Sequence, residues 1–422
     1  MKQWNFIVVF ILATFIAGVF DFRSVNAQSL LSSEGFQSDD GVLLVQGDKT
    51  VYQWQADKAL IAASLTKIVS AQLAIDKWGL GHRFHTDFYQ LGDTLWVKGY
   101  GDPFLISEEI DRLVASLQSR LSTDINTIAI DATYFSSNLN TPGRSKVVDP
   151  YNAPLSAVAA NFNTAMLTKQ QVNAKELISS AEAQTPLTNI AKKIASKTPF
   201  SKKTERINLR NADNAQQHFA EILRQKLGLP ELEIYINASL PKQAVLIYRH
   251  INSHDLEQVL RGALEYSNNF IANQVFIKLA DESLLPSTRV SANSSLKPMS
   301  FSAAQNTANT MLSKRFNWPN SLLEDGAGLS RNNRLSARQM DQVLLSFTPH
   351  KHLLKQYKVG PNKTIVHAKT GTLNGVRTFA GYIDLAVPTR FVFLFNRNTP
   401  WRYREQLLER LVMQLTPKQP GT

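Results

Sequence analysis

Apolar and polar residues alternate in two short stretches near the start of the chain. Gly41–Gln46 and Thr50–Gln55 both follow this pattern, and Gly47-Asp48-Lys49 between them is typical of a tight turn. From Ala62 to Trp78 the apolar residues recur at helical spacing, and Gly79 then provides a stop. The pattern therefore predicts a β-hairpin followed by a helix.

The last part of the chain shows both patterns again. Three strands are predicted at Thr364–Ala368, Arg377–Asp384 and Arg390–Asn396. Trp401–Leu415 is an amphipathic helix, whose apolar stripe we expect to pack on the neighbouring sheet, with binding to a membrane surface as the alternative. Because a hairpin from one end and three strands from the other can share one sheet, we predict a single α/β core divided by an insertion.

The middle of the chain has a different character. Short strands are predicted at His85–Leu91, Thr94–Lys98 and Thr127–Asp131, and helices at Leu256–Tyr266, Phe270–Leu279 and Phe301–Phe316. The segment from about Lys169 to Arg210 is polar, which indicates a small subdomain or a mobile loop. We predict a split catalytic domain at residues 28–80 and 245–422, with an inserted, mainly β region at 81–244.

The first residues resemble a secretory signal peptide. Lys2 precedes an apolar run of roughly 14 residues from Ile7 to Phe20, and Val25 and Ala27 are small residues before a plausible cut at Gln28. The run is short for a membrane span, which needs about 20 residues, although an uncleaved anchor is the alternative. We therefore expect residues 1–27 to be removed and the protein to be exported to the periplasm.

Composition narrows the chemistry. The chain has no cysteine, which excludes disulfides, a thiol nucleophile and thiolate metal sites. The net charge is +12, but the excess is diffuse and includes no basic run typical of nucleic-acid binding. The charge is consistent with an ordinary soluble surface or with attraction to an anionic wall polymer, and at most with peripheral membrane contact. Nothing in the sequence predicts the oligomeric state.

Three short motifs occur in an informative order: Ser64-Leu65-Thr66-Lys67, Ser267-Asn268-Asn269 and Lys369-Thr370-Gly371-Thr372. This trio is typical of penicillin-binding proteins and serine β-lactamases. Other Ser-x-x-Lys copies, Ser239–Lys242 and Ser294–Lys297, have proline within or directly after them, which disfavours a helix. Order, spacing and local context together favour serine acyl transfer.

Each motif has a chemical reason. A serine hydroxyl needs a neighbouring base, and the i,i+3 spacing of Ser64 and Lys67 places an amine on the same helix face. Ser267 and Asn269 lie in a polar turn between two apolar helices. Lys369 and Gly371 end a predicted strand, where lysine can hold a carboxylate and glycine allows a ligand to approach closely.

Competing catalytic patterns are weaker. The chain has no G-x-S-x-G sequence around a serine, and no histidine in an obvious strand–helix corner, so a Ser-His-Asp site is disfavoured. It has no H-E-x-x-H or similar spacing, and we predict no metal and no cofactor.

With these motifs and three further stretches, most of the chain resembles the D-alanyl-D-alanine carboxypeptidase/endopeptidases, the class C low-molecular-mass penicillin-binding proteins of the serine peptidase S13 type. The further stretches are Val97–Pro103, Tyr151–Ala157 and Asp325–Asn333, and the match continues through Lys369–Tyr382. Two departures concern substrate preference: Ala327 stands where the family usually has serine, and the insertion looks shorter than in long members.

The resemblance implies a penicillin-binding-protein/β-lactamase-like fold, with an antiparallel sheet flanked by helices. It implies that Ser64 attacks a D-alanyl carbonyl, that Lys67 is its base, and that Ser267 and Asn269 relay protons and orient the substrate. The terminal carboxylate and the reactive edge would be held by Lys369, Thr370 and Thr372. The oxyanion would accept hydrogen bonds from the backbone N–H groups of Ser64 and Thr372. Asp149 could meet the substrate's side-chain amine or be an ordinary loop residue.

The implied partners are peptidoglycan stem peptides and β-lactams, which would acylate Ser64, and no nucleic acid. Hydrolysis of D-alanyl-D-alanine ends and of D-alanyl cross-links both remain open. A serine β-lactamase is the second hypothesis, although the roughly 200 residues between Ser64 and Ser267 favour the peptidase. A wall-binding protein with a decayed site is the third.

Overall fold

The computed structural model describes residues 23–122, 124–173, 175–281, 297–318 and 322–416. The chain divides into two compact units, one formed by the described parts of Met1–Val69 and Arg331–Thr422, the other by Ser70–Ser330. These two units do not correspond to the predicted catalytic domain and insertion, whose limits are placed at 80/81 and 244/245 from the sequence. Those domain limits stay a prediction.

A six-stranded antiparallel sheet is the centre of the first unit. The strands in chain order are β1 (Asp40–Gln46), β2 (Lys49–Trp54), β13 (Lys355–Val359), β14 (Thr364–Leu373), β15 (Val376–Ile383) and β16 (Thr389–Phe395). Their order across the sheet is β13-β14-β15-β16-β1-β2, so the hairpin from one end of the chain pairs with strands from the other end, as predicted. β1 and β16 are buried at every position, which explains why aromatic and branched apolar residues dominate them.

Helices cover this sheet. They comprise α1 (residues 23–33), α9 (Ala337–Phe347) and α10 (Tyr403–Leu415), and a short strand β3 (Leu60–Ile61) pairs with β12 (Arg334–Leu335). Leu407 and Leu411 of α10 are fully buried in one cluster with Phe391, Phe393 and Phe395 of β16. The apolar stripe of the last helix therefore packs on the sheet, which confirms the prediction.

The second unit contains two further sheets. One consists of β4 (Arg83–Leu91), β5 (Thr94–Gly99), β6 (Thr127–Asp131), β10 (Glu233–Tyr235) and β11 (Val245–Asp255), in the order β10-β6-β5-β4-β11. Helices α3 (Ser107–Leu117) and α5 (Ala212–Leu227) pack on it through a core that includes Phe88 and Phe219. β11, which begins at Val245, pairs antiparallel with β4.

The polar segment from Lys169 to Arg210 is folded rather than a loop. Strands β7 (Thr164–Val172), β8 (Lys175–Ser180) and β9 (Thr204–Asn208) form a three-stranded sheet, and α4 (Asn189–Ser196) packs on it. Ile194 and Ala195 of the helix share a small core with Ala165, Leu167 and Ile178 of the strands. The small-subdomain alternative is therefore the correct one.

Three helices complete the second unit: α6 (Leu256–Glu265), α7 (Asn269–Lys278) and α8 (Phe301–Phe316). They fall where the apolar spacing predicts them. The remaining helix, α2 (Thr66–Trp78), follows a single 3₁₀ turn at Ala63–Leu65, and the division between the units falls within it, after Val69.

The predicted signal peptide lies mostly outside the described residues. Within them, helix α1 includes the predicted cut before Gln28, and Ala27 and Leu31 are fully buried. Among the described residues, no helix has both the length and the apolar character needed to cross a membrane.

Candidate active site

The Ser64 turn is fixed by its backbone. Asn396 accepts from the N–H of Ile61 through Oδ1 at 2.7 Å and donates to the carbonyl of Ile61 through Nδ2 at 3.1 Å, which anchors the strand before the turn. The Oγ1 of Thr378 then donates to the carbonyl of Ala62 at 3.0 Å. Ala63 has a φ of 48°, in the left-handed region that costs a non-glycine residue about 1–3 kcal/mol. The surrounding contacts thus hold a strained residue directly before Ser64.

Ser64 and Lys67 are in direct contact. The Nζ of Lys67 donates to the Oγ of Ser64 at 3.0 Å. Lys67 is 1% exposed, whereas Ser64 is half-buried, so the hydroxyl is accessible but its amine partner is shielded from water. The spacing of these two residues therefore produces the contact that a serine nucleophile and its base require.

The Lys-Thr-Gly-Thr motif lies inside a strand, whereas the sequence predicts it at a strand end. β14 continues to Leu373 because β15 pairs with it as far as Leu373↔Val376. On its other side, pairing with β13 stops at Lys355↔Ala368. Among the described residues no strand pairs with this side beyond Ala368, so the motif forms an open sheet edge.

Gly371 is required by the protein itself, not only by a ligand. A Cβ atom at this position would lie 2.9 Å from the amide nitrogen of Ser64 and even closer to the Oγ1 of Thr378. The serine turn therefore packs on the strand at a distance that only glycine allows. This contact brings Ser64 beside the Lys369–Thr372 stretch.

Arg404 of helix α10 is a site residue that the sequence does not reveal. Its Nη1 donates to the carbonyl oxygens of Gly371 at 2.5 Å and Thr378 at 3.0 Å, and to the Oγ1 of Thr372 at 3.3 Å. Its Nε donates to Glu405 at 2.8 Å. The guanidinium thus fastens the edge strand to its neighbour at the point where the serine turn packs. The sequence shows only one of several arginines on an amphipathic helix.

Lys369 is buried among positive charges. It is 3% exposed, and its Nζ donates to the carbonyl of Thr370 at 2.9 Å. Burial, together with the charges of Arg404 and Lys355, lowers the pKa of Lys369 to about 7. An anion placed here would relieve this repulsion, so the surroundings favour a carboxylate ligand.

Ser267 and Asn269 lie in the second unit, in the turn between α6 and α7. Ser267 has a φ of 56°, and Asn268 caps α7 by accepting from the N–H of Ile271 at 3.1 Å. Asn269 is the first residue of α7, and its Nδ2 donates to the carbonyl of Tyr151 at 3.0 Å. The turn therefore presents both predicted side chains from the end of a buried helix, and Tyr151 belongs to one of the stretches that carry the resemblance.

A cavity of about 620 Å³ adjoins this turn. Ser267 and Asn269 line it together with aromatic rings and one arginine, namely Phe104, Tyr151, Phe162, Tyr266 and Arg206. Phe162 is the middle of three consecutive residues with positive φ, at 49°, 61° and 53° for residues 161–163. Buried side-chain contacts hold this strained segment, including donation from Asn161 Nδ2 to Ser107 Oγ at 2.8 Å and from Asn163 Nδ2 to the carbonyl of Pro154 at 2.8 Å.

Asp149 is exposed, and the hydroxyl of Tyr151 donates to its Oδ2 at 3.3 Å. Its carbonyl accepts from Asn208 at 2.8 Å, which fixes the loop. The contact of Asp149 with a substrate amine stays a prediction.

Ala327, which stands where the family usually has serine, is 1% exposed, and its N–H donates to Asn273 Oδ1 at 3.0 Å.

Comparison with known proteins identifies the family. The model of the D-Ala-D-Ala carboxypeptidase 3 (S13) family matches residues 33–361. The chain belongs to this family. The match includes Ser64, Lys67, Ser267 and Asn269 but ends before Lys369.

Individual relatives agree with this assignment. The chain is 28% identical over 205 residues to the D-alanyl-D-alanine carboxypeptidase DacB of Haemophilus influenzae, a match spanning 43% of this chain and 40% of that protein. The crystal structure of penicillin-binding protein 4 (dacB) from the same organism superimposes with a TM-score of 0.71 at 20% identity, over 92% of this chain and 99% of that one. Its complex with a β-lactam gives a TM-score of 0.67 at 20% identity, with the same coverage. The predicted fold is thereby confirmed.

Gly371→Ala should abolish reaction of Ser64 with acylating ligands, because the added Cβ would push the serine turn away from the strand. The measurement is the rate of covalent labelling by a fluorescent penicillin. Gly81→Ala is the matched control, since a Cβ there has no heavy atom within 4 Å. Wild-type labelling of Gly371→Ala would show that the close packing is unimportant.

Arg404→Met should slow labelling by about tenfold or more, because a small displacement of a positioned group has a large effect on rate. Arg404→Lys should restore little, since the single nitrogen of lysine cannot contact Glu405 and the two carbonyl oxygens at once, as Nε and Nη1 of the guanidinium do. Thermal unfolding of both variants serves as the control. Equal labelling rates in the two variants and the wild type would contradict a positioning role.

The pKa of Lys369 makes a prediction about pH. The amine is charged below about pH 7 and neutral above it, so its attraction to a carboxylate weakens as the pH rises through that value. The ratio of kcat/KM for a peptide with a free terminal carboxylate to that for its C-terminal amide should therefore fall across this range. Any titration of Lys67 affects both substrates and cancels in the ratio. A ratio independent of pH would contradict the role of Lys369.

Proposed function

We propose that this protein is a serine-type D-alanyl-D-alanine peptidase that cleaves peptidoglycan stem peptides. The observation that carries the proposal is the 3.0 Å hydrogen bond from Lys67 Nζ to Ser64 Oγ, in a turn packed against the open edge that holds Lys369. Membership in the S13 family supplies the reaction class.

In the proposed reaction, Ser64 Oγ attacks the carbonyl carbon of the penultimate D-alanine while its proton passes to Lys67 Nζ. The backbone N–H groups of Ser64 and Thr372 stabilise the oxyanion. The C–N bond then breaks, and the leaving amine receives a proton from Lys67. Water attacks the resulting ester and releases the acyl group, which regenerates the serine hydroxyl.

The remaining predicted residues take supporting roles in this proposal. Lys369, with Thr370 and Thr372, holds the terminal carboxylate, which agrees with the buried positive surroundings of its amine. Ser267 and Asn269 orient the substrate amide and relay protons. Asp149 meets a side-chain amine of the substrate.

We propose that β-lactams acylate Ser64 and that D-alanyl cross-links are substrates as well as free D-alanyl-D-alanine ends. The related Haemophilus penicillin-binding protein 4 has been solved in complex with a β-lactam. The N-terminal segment with its signal-peptide pattern supports export to the periplasm, where these substrates occur.

The test is incubation of the mature protein with purified cross-linked and uncross-linked muropeptides, followed by mass spectrometry of the products. Loss of one alanine reports carboxypeptidase activity, and conversion of dimers to monomers reports endopeptidase activity. Ser64→Ala should abolish both while leaving the thermal unfolding midpoint unchanged.

Wild-type product formation by Ser64→Ala would refute the assignment of the nucleophile. Fast, repeated turnover of a chromogenic cephalosporin, without cleavage of muropeptides, would instead favour a β-lactamase. Absence of labelling by penicillin and of cleavage would favour a decayed wall-binding protein.

A further inference from the structure

The three-stranded subdomain, residues 164–210, carries much more net positive charge per residue than the rest of the chain. Residues 164–210 include nine Lys and Arg but three Asp and Glu, an excess of six positive charges against twelve for the whole protein. Seven of the nine are lysines, which act as flexible, hydrated point charges and not as bidentate ligands. This composition favours contact with a charged polymer over recognition of one fixed group.

The three acidic residues of the subdomain are already engaged. Glu176 pairs with Lys169 at 3.2 Å, and Glu182 pairs with Arg206 at 2.5 Å. Glu205 accepts from the backbone N–H groups of Ser201 and Lys202 at 2.5 and 2.7 Å. These carboxylates stabilise the subdomain internally, so most of the other lysines keep their charge without a local counter-ion.

Five lysines form what we call the lysine surface: Lys192, Lys193, Lys197, Lys202 and Lys203, all of them exposed. Lys192 and Lys193 lie on α4, whose opposite side buries Ala191, Ile194 and Ala195, and Lys197 caps the end of the helix. Lys192, Lys193, Lys197 and Lys203 make no ion pair with any residue that the structure describes.

Backbone contacts bring the two parts of this surface together. The N–H of Lys169 donates to the carbonyl of Lys203 at 2.9 Å, and its Nζ donates to the carbonyl of Thr198 at 2.9 Å. The end of α4 and the Lys202–Lys203 turn therefore both lie against the same residue of β7. The backbone of the two parts is therefore close together, although they are separated along the chain.

We propose that the lysine surface binds a polyanionic wall polymer carrying repeated carboxylates, as peptidoglycan does, and so holds the enzyme on its insoluble substrate. The proposal rests on the peptidase function, but the surface includes none of the proposed catalytic residues. A dense field of one sign attracts a polymer of the other and raises its local concentration. No large apolar side chain of residues 192–203 is exposed, which favours a hydrated polymer over insertion into a lipid surface.

The test measures binding separately from catalysis. The mature Ser64→Ala protein is sedimented with purified insoluble peptidoglycan at increasing salt, with and without the triple change Lys192→Glu, Lys193→Glu and Lys197→Glu. We expect the triple change to weaken binding by about tenfold or more, and salt to weaken binding of the parent protein because it screens exposed charges.

The control is an equal charge change spread over other exposed lysines, Lys242→Glu, Lys314→Glu and Lys358→Glu. In the active enzyme, the subdomain variant should keep its rate on a small soluble D-alanyl-D-alanine peptide and lose rate on insoluble peptidoglycan. If the small peptide is not cleaved by the wild type, the proposed function fails while the binding result still stands.

Three outcomes would overturn the proposal. Equal loss of binding in the control and subdomain variants would assign binding to net charge alone. Binding to vesicles rich in phosphatidylglycerol, but not to peptidoglycan, would assign the surface to a membrane. Binding that neither salt nor the triple change affects would exclude an electrostatic contact.

Discussion

The candidate site depends on one close contact, the packing of the Ala62–Ser64 turn against Gly371 of β14. No side chain fits between them, and the strained φ of Ala63 shows that the turn is held in place rather than relaxed. Because β14 lies inside the six-stranded sheet, between β13 and β15, the position of the nucleophile is set by the central sheet of the first unit. Rigid support of this kind is what an acyl-transfer site requires.

Charge explains the second feature of the site. Arg404 and Lys355 place like charges around the buried amine of Lys369, an arrangement that costs stability unless an anion completes it. Arg404 offsets part of this by fastening the carbonyl oxygens of Gly371 and Thr378. Arg404 of the last helix therefore both positions the open edge of β14 and contributes positive charge beside Lys369.

The sequence predicts a feature well where it depends on local pattern. The hairpin, the helices around Ser267 and the last amphipathic helix follow from apolar spacing, and the Ser64–Lys67 contact follows from i,i+3 geometry. The sequence does not predict a feature that depends on contacts between segments far apart in the chain. The extension of β14 through Lys369 depends on β15, the need for Gly371 depends on the serine turn, and Arg404 resembles any other arginine of its helix. The sequence of the subdomain at 164–210 is compatible with either a fold or a loop, because its core is small and its surface highly charged.

The central claim is that Lys67 activates Ser64 by direct contact. Mapping of the covalent adduct tests it most directly: the protein is treated with benzylpenicillin, digested, and its peptides are weighed over time. One adduct of the mass of intact penicillin is expected on the peptide that contains Ser64, and it should form far more slowly in Lys67→Ala. An adduct on another residue, or a wild-type rate in Lys67→Ala, would contradict it.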